Sequence, residues 1–251
     1  NKKEILAISK VLLESRAFMK DEITQLLNKL VLSSAPSDRE KIKEVLRNEK
    51  FHYNAINNKK SLFNIIWNLS EAIRNKKTIE IDYQKEYCSS LTTRRLKPVG
   101  LIFSEFYFYL IAYISNRDYD FPTVYRLDRI QDYQINKQAA SFKVPYLDRF
   151  KEGEFRKRVQ FMYPGELMNI KVKFWGSSLE AVLDRLPTAE VVEEKENYYI
   201  IEAEVYGKGI KMWLLSQGQF IEVLKPISLR EEMNEEITNM NELYLDESDC
   251  K

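Results

Sequence analysis

The sequence predicts an α+β chain in three parts: a helical region over residues 1–77, a small antiparallel β-barrel over 78–147, and a ferredoxin-like βαββαβ domain over 165–244. Three observations carry that prediction. Apolar residues recur at helical spacing up to Lys77. From Thr78 the apolar period falls to two, through five short strands with no helix between them. Beyond Gly165 the patterns alternate as strand, helix, strand, strand, helix, strand.

The helices come first. Ile5, Ile8 and Leu12 share one face of a first helix, and Ile23, Leu26, Leu27 and Leu30 share one face of a second. Pro36 interrupts the pattern, and residues 34–38 carry helix-start chemistry. Ile42, Val45 and Leu46 mark a third helix; Leu62, Ile65, Ile66, Leu69 and Ile73 mark a fourth. The stripes are apolar and hold no polar constellation, so the region reads as packing and linking helices.

In the middle part, Ile79, Ile81 and Tyr83 alternate with Glu80 and Asp82, as a half-buried strand requires. A turn is expected over 88–93, then strands over 96–103 and 106–114 joined at Ser104-Glu105. A polar loop over 116–122 leads to strands over 123–127 and 131–135. In the last part, strands are expected over 170–174, 191–194, 198–206 and 220–224, and helices over 177–186 and 210–216. Gly218 sits where a helix C-terminal glycine belongs, and Pro226 ends the last strand. A final helix over 229–244 has Leu229, Met233, Ile237 and Met240 on one side. Its other side is acidic: from 231 to the end there are eight acids against Lys251, read as a solvated face and tail.

Composition excludes several classes. In 251 residues, 39 basic side chains balance 38 acidic ones for a net charge of +1, so any anion site is a local patch. The two cysteines, Cys88 and Cys250, build neither a disulfide framework nor a thiolate metal cluster, which fits a reducing cytoplasm. No apolar run approaches the roughly 18 to 20 residues that span a bilayer.

Signals for catalysis are weak. His52 is the only histidine and reads as a surface or capping residue rather than a general base. There is no nucleophile elbow, no P-loop, no dinucleotide-binding glycine motif and no zinc spacing. Gly207-Lys208-Gly209 opens a helix whose amides would suit a phosphate, but it reads first as a turn. Arg156-Lys157-Arg158 reads as a solvent-facing loop. No catalytic residue, cofactor or metal is expected, and the chain is not read as an enzyme.

The stretch from 94 to 130 is the most informative. Alternation sends Phe106, Phe108, Leu110, Ala112 and Ile114 to the core, and Tyr107, Tyr109, Ile111 and Tyr113 to the other face. Tyrosine hydroxyls reach polar partners or solvent. Arg94 stands at a strand start and Arg126 within a strand, where a guanidinium must find an anion or lie exposed. Arg129 follows Asp128, and a local ion pair between them is the simple alternative to a ligand role. Cations beside tyrosine rings suit a flexible nucleic-acid strand or a nucleotide-like ligand.

These residues resemble a WYL domain. Phe108-Tyr109-Leu110 stands where the family's tryptophan-tyrosine-leucine motif belongs, with phenylalanine in place of tryptophan. Arg94 with Pro98 resembles the family's R-x-x-x-P segment, and Tyr125-Arg126-Leu127-Asp128-Arg129-Ile130 its F-R-L-D-R-I segment. The opening strand ending at Tyr83 also matches. Trp213-Leu214-Leu215-Ser216-Gln217-Gly218 and Val223-Leu224-Lys225-Pro226 resemble the extension that follows such domains.

The resemblance implies an Sm-like, SH3-type barrel that senses an effector within a bacterial transcriptional regulator. It implies a ligand set of Tyr83, Arg94, Tyr107, Tyr109, Tyr113, Arg126 and Arg129 for single-stranded nucleic acid or a nucleotide-like effector. Residues 1–77 lack a compact helix-turn-helix, so operator DNA is expected to be gripped by a winged helix-turn-helix ahead of Asn1. A regulator on two half-sites is expected to be a homodimer. The alternative is a stand-alone single-stranded nucleic-acid binding module without an operator.

Overall fold

The computed structural model describes residues 1–56, 60–85, 90–116, 121–138, 140–142 and 151–245. The chain divides into two compact units: Asn1–Asp118 with Thr123–Val144, and Pro145–Lys251 with Tyr119–Pro122. Cys88, Cys250, the tip of the 116–122 loop and the acidic tail past 245 lie outside the described residues.

The first unit opens with α1 (Lys2–Ser15), α2 (Lys20–Leu32) and α3 (Pro36–Phe51). The Asn1 side chain accepts the first free amides of α1, and Pro36 occupies the first turn of α3, where an amide has no partner to lose. Ile5, Leu13, Ile23, Leu27, Val31, Ile42, Leu46 and Tyr53 form their common core. The Tyr53 hydroxyl donates to the Phe18 carbonyl at 2.6 Å, so its polar end is satisfied inside. The buried row of α1 is Ile5, Ser9 and Leu13, not the expected Ile5, Ile8 and Leu12. Ile8 and Val45 both point to solvent. Packing selects rows four residues apart, and period alone does not say which of two adjacent rows faces a neighbour.

The fourth helix, α4 (Phe63–Arg74), packs on the sheet. Leu62, Ile65, Leu69 and Ala72 share a core with Ile79, Ile81, Leu96, Leu110, Tyr125, Leu127 and Ile130. The sheet's core therefore begins at Leu62, ahead of the boundary expected at 78.

That sheet comprises β1 (Ile79–Gln84), β2 (Leu91–Ser104), β3 (Tyr107–Ile114), β4 (Thr123–Arg126) and β5 (Ile130–Ile135), in the order β4-β3-β2-β1-β5, all antiparallel. β2 starts five residues before the expected Leu96. Thr92 and Thr93 continue the ladder against Tyr83 and Asp82, and the Thr93 hydroxyl bonds the Asp82 carboxylate at 2.6 Å. Register slips by one residue between Pro98 and Gly100, where proline offers no amide to the ladder. Glu105 takes φ 55° in the tight turn into β3. The expected strand 123–127 ends at Arg126, because Leu127–Arg129 winds into a 3₁₀ turn. That turn joins the two edge strands, and no ladder is found between β4 and β5 among the described residues, so hydrogen bonding leaves the sheet open.

The second unit runs α5 (Glu152–Arg158), β6 (Leu167–Phe174), α6 (Leu179–Arg185), β7 (Glu190–Lys195), β8 (Tyr198–Tyr206), α7 (Gly207–Ser216), β9 (Ile221–Lys225) and α8 (Ile227–Leu245). From β6 to β9 the order is the expected βαββαβ, with an antiparallel sheet ordered β7-β8-β6-β9. Ile170, Val172, Leu186, Ile201, Val205, Ile210 and Leu214 are among its core residues. Gly218, at φ 59°, follows α7 as a helix-ending glycine. The sequence reading placed no helix at α5. Acids in its first turn and bases in its last suit the helix dipole, and Phe155 is its buried side chain. Arg156-Lys157-Arg158 is thus the last turn of a helix, not a loop, and Arg158 pairs with Glu154 and Glu204. At Gly209 a Cβ would meet the Gln160 carbonyl oxygen at 1.9 Å, so this glycine serves close packing. No described helix is long and apolar enough to cross a membrane.

Candidate ligand site

The site grows from the register of β3 and β4. Leu110 faces Tyr125, both turned into the core, so the next pair, Tyr109 and Arg126, takes the opposite face. Tyr107 stands two residues from Tyr109 on that same face, and their rings meet edge to face with centroids 6.3 Å apart. The Arg126 guanidinium carbon lies 3.4 Å from the centre of the Tyr107 ring.

The 3₁₀ turn supplies the anion. It brings Asp128 back beside Arg126, whose Nε and Nη2 donate to the two carboxylate oxygens at 3.1 and 2.6 Å. Both side chains are largely enclosed, at 20% and 12% exposure. Burial works against the Arg126 charge, and the Asp128 hydrogen bonds and charge more than offset it, so its pKa is raised. Burial pushes the Tyr109 phenol up to about 12, with the Arg126 charge opposing. Tyr109 is therefore neutral at physiological pH, a hydrogen-bond donor set beside a fixed cation.

Tyr83 closes the group from β1. Its hydroxyl accepts the Arg126 backbone amide at 3.3 Å, its ring meets Tyr125 edge-on at 5.1 Å, and Arg129 hydrogen-bonds it. Burial raises its pKa, with the Arg126 amide and the Arg129 charge opposing. Lys60 arrives from the segment before α4 and donates to the Ile130 carbonyl. Burial lowers its pKa, and the Asp128 charge opposes that shift.

The structure thus links Tyr83, Tyr107, Tyr109, Arg126 and Arg129 through contacts. Arg94 is placed differently. It pairs with Ile81, on the core-side face that also carries Tyr83, and donates to the Thr93 carbonyl at 3.2 Å. Tyr113 shares the face of Tyr109 but stands opposite Lys97, four residues or about 13 Å along the strand. Phe108 turns inward against Phe103 and Phe18, as a core aromatic. Two members were missed from sequence. Lys60 is remote along the chain, and Asp128 entered only as a local partner for Arg129, one of two alternatives. His52 caps the end of α3 with its ring edge-on to Phe51. Among the described residues no group of histidine, cysteine and acids is arranged to hold a metal ion.

Such an arrangement can bind. A part-buried cation lies flat on an aromatic ring, and the carboxylate holding it is a group that an incoming anion can replace.

Comparison with known proteins gives two family matches. The WYL domain matches residues 64–135, a span that takes in α4 from its second residue and every residue of the expected ligand set. The WCX domain matches residues 166–240. No curated protein matches the chain. Among solved structures it is similar to the proteasome accessory factor B/C (PafBC) of Arthrobacter aurescens, at 18% identity and a TM-score of 0.36, over 93% of this chain and 34% of that one. It is also similar to a CRISPR Cas-related protein, at 18% identity and a TM-score of 0.45, over 71% of this chain and 50% of that one. The chain therefore spans half or less of the length of either.

Proposed function

We propose, for a chain that belongs to the WYL-domain family and carries a WCX domain behind its WYL domain, that it is the effector-sensing part of a bacterial transcriptional regulator. The effector is a nucleotide-like molecule or a short single-stranded nucleic acid, bound rather than chemically altered. The sensor controls a winged helix-turn-helix domain that meets operator DNA, and it works in the cytoplasm as a homodimer. In this reading the open five-stranded sheet is an Sm-like barrel and the second unit is ferredoxin-like.

One observation carries the proposal: Arg126 stacked on Tyr107 and bridged to Asp128. Single strands are held by cations that follow the phosphates and by aromatic rings on which bases stack, each stack being worth about 1–3 kcal/mol. Tyr107, Tyr109 and Arg126 offer both kinds of contact on one face. A duplex asks instead for many spread phosphate contacts, which a chain of net charge +1 does not supply.

Fluorescence anisotropy with a labelled single-stranded oligonucleotide, mononucleotides and a random duplex at about 0.15 M salt tests this. The single strand or a nucleotide is expected to bind more tightly than the duplex. Equal or tighter duplex binding contradicts the proposal.

A further inference from the structure

The outer face of the second unit's sheet carries a row of aromatic rings. On β6, Ile170, Val172 and Phe174 belong to the core, so alternation sends Lys171, Lys173 and Trp175 to the opposite face. On β8 the core takes Ile201, Ala203 and Val205, which leaves Tyr198, Ile200 and Glu202 outside. Phe174 pairs with Tyr199 on one side and Ile221 on the other, so the next row sets Tyr198, Trp175 and Phe220 side by side across three strands. The Trp175 amide donates to the Phe220 carbonyl at 3.0 Å, which carries the ladder into this row. Trp175 and Phe220 are 40% and 46% exposed. Side chains of α6, α7 and α8 pack into the core on the inner face. Helix α5 meets the outer face at the far end of β8, through Phe155 on Tyr206 and Arg158 on Glu204.

One cation belongs to this row. The Lys173 Nζ lies 4.4 Å from the centre of the Tyr198 ring and 5.8 Å from that of Trp175. The acids around it are already matched: Glu193 with Lys195 at 3.0 Å, Glu202 with Lys171 at 2.8 Å and Glu222 with Arg230 at 2.7 Å. Those pairs cancel, and among the described residues no carboxylate pairs with Lys173. This end of the face therefore offers large rings in water and one uncancelled positive charge.

We propose that this face is a second binding site, a stacking platform for single-stranded nucleic acid. Bases lie on Trp175, with Tyr198 and Phe220 beside it, and Lys173 meets a phosphate. Every base has a π-face, so such a row takes a flexible strand with little regard to sequence, while a lone lysine suits a backbone that passes over it. A covering helix would ask for aliphatic side chains rather than a cation among rings. With one cation the platform is weaker than the Arg126 site, which has Arg129 and Lys60 close by. It rests on this face alone and does not depend on what the Arg126 site binds.

Photocrosslinking of the full chain to short oligonucleotides carrying 5-iodouracil, one of DNA and one of RNA, tests it, with peptide mapping at about 0.15 M salt. Crosslinks are expected at Trp175 or Tyr198 and should persist in Arg126→Ala. In that same background, Trp175→Ala and Lys173→Glu should each weaken the remaining affinity roughly five-fold or more, with circular dichroism as the check on folding. Crosslinks confined to Tyr107 and Tyr109 overturn the platform and leave the Arg126 proposal standing; crosslinks at Trp175 or Tyr198 alone do the reverse. A second unit that takes no crosslink, with affinity indifferent to both substitutions, overturns the platform as well. That is the result if another copy or another protein covers the face.

Discussion

Arg126 lies face-on to Tyr107, its guanidinium carbon 3.4 Å from the ring centre, while its Nε and Nη2 donate to the Asp128 carboxylate. The pair comes from three local facts. Antiparallel register sets Arg126 beside Tyr109, strand alternation puts Tyr107 on the same face, and a 3₁₀ turn folds Asp128 back. A side chain held on two sides needs little further ordering when a ligand arrives, and that is the advantage of such a site.

Asp128 stabilises the cation but competes with any anion for it. Asp128→Asn removes a charge-assisted pair whose members are both mostly enclosed, which should cost about 1.5–3 kcal/mol of stability. The same change should strengthen binding of nucleotides and inorganic phosphate. Denaturant unfolding and calorimetric titration read the two effects separately. Weaker phosphate binding in the variant would show that Asp128 positions Arg126 more than it competes with the ligand.

Part of this was legible in the sequence. The alternation of Ile79, Ile81 and Tyr83 needs only period two and places β1. β3 is found at Tyr107–Ile114, but Phe106, expected in the core, lies in the turn and is 36% exposed, and Ile111, on the tyrosine face, is fully buried. The early half of β2 was not legible, because Leu91, Thr92 and Thr93 look like turn residues until Asp82 and Tyr83 are paired with them. The short α5 has no apolar period to find. In the site, Arg126 was recognisable as an arginine inside a strand. Its bond to Asp128, two residues on, was not, because that bond depends on the 3₁₀ turn that follows the strand. Lys60 meets Ile130 across 70 residues, a contact with no local trace.

The sheet and α4 share one core, so they should unfold together. Leu69 is fully buried between them, and Leu69→Ala should cost about 2–5 kcal/mol. Far-ultraviolet dichroism reports the chain's helices, α4 among them, and near-ultraviolet dichroism reports its aromatic side chains, the tyrosines of β3 among them. Coincident transitions at lower denaturant are expected. A variant in which the tyrosine signal keeps its midpoint while helix signal is lost would separate α4 from the domain.

Tyr109 gives a pH dependence with a definite sign. Its folded pKa is raised, from 10.0 to about 12, so the folded state holds the proton more tightly than the unfolded one. Its contribution to stability is whole below about pH 10 and is lost as the pH rises toward 12. Tyr109→Phe cannot ionise there and should flatten the fall in stability over that window. The unfolding free energy of both proteins as a function of pH measures it, and parallel curves would mean that the Tyr109 phenol is not held in a buried setting.

The most direct test of the account is the affinity of Arg126→Ala for a labelled single-stranded oligonucleotide and for nucleotides, measured against the parent under identical salt. Removing one charge-assisted contact of about 1.5–3 kcal/mol predicts binding weaker by roughly ten-fold or more, in a protein that remains folded. Arg126→Ala binding these ligands as tightly as the parent would contradict the account and move the ligand site away from the Arg126–Tyr107 face.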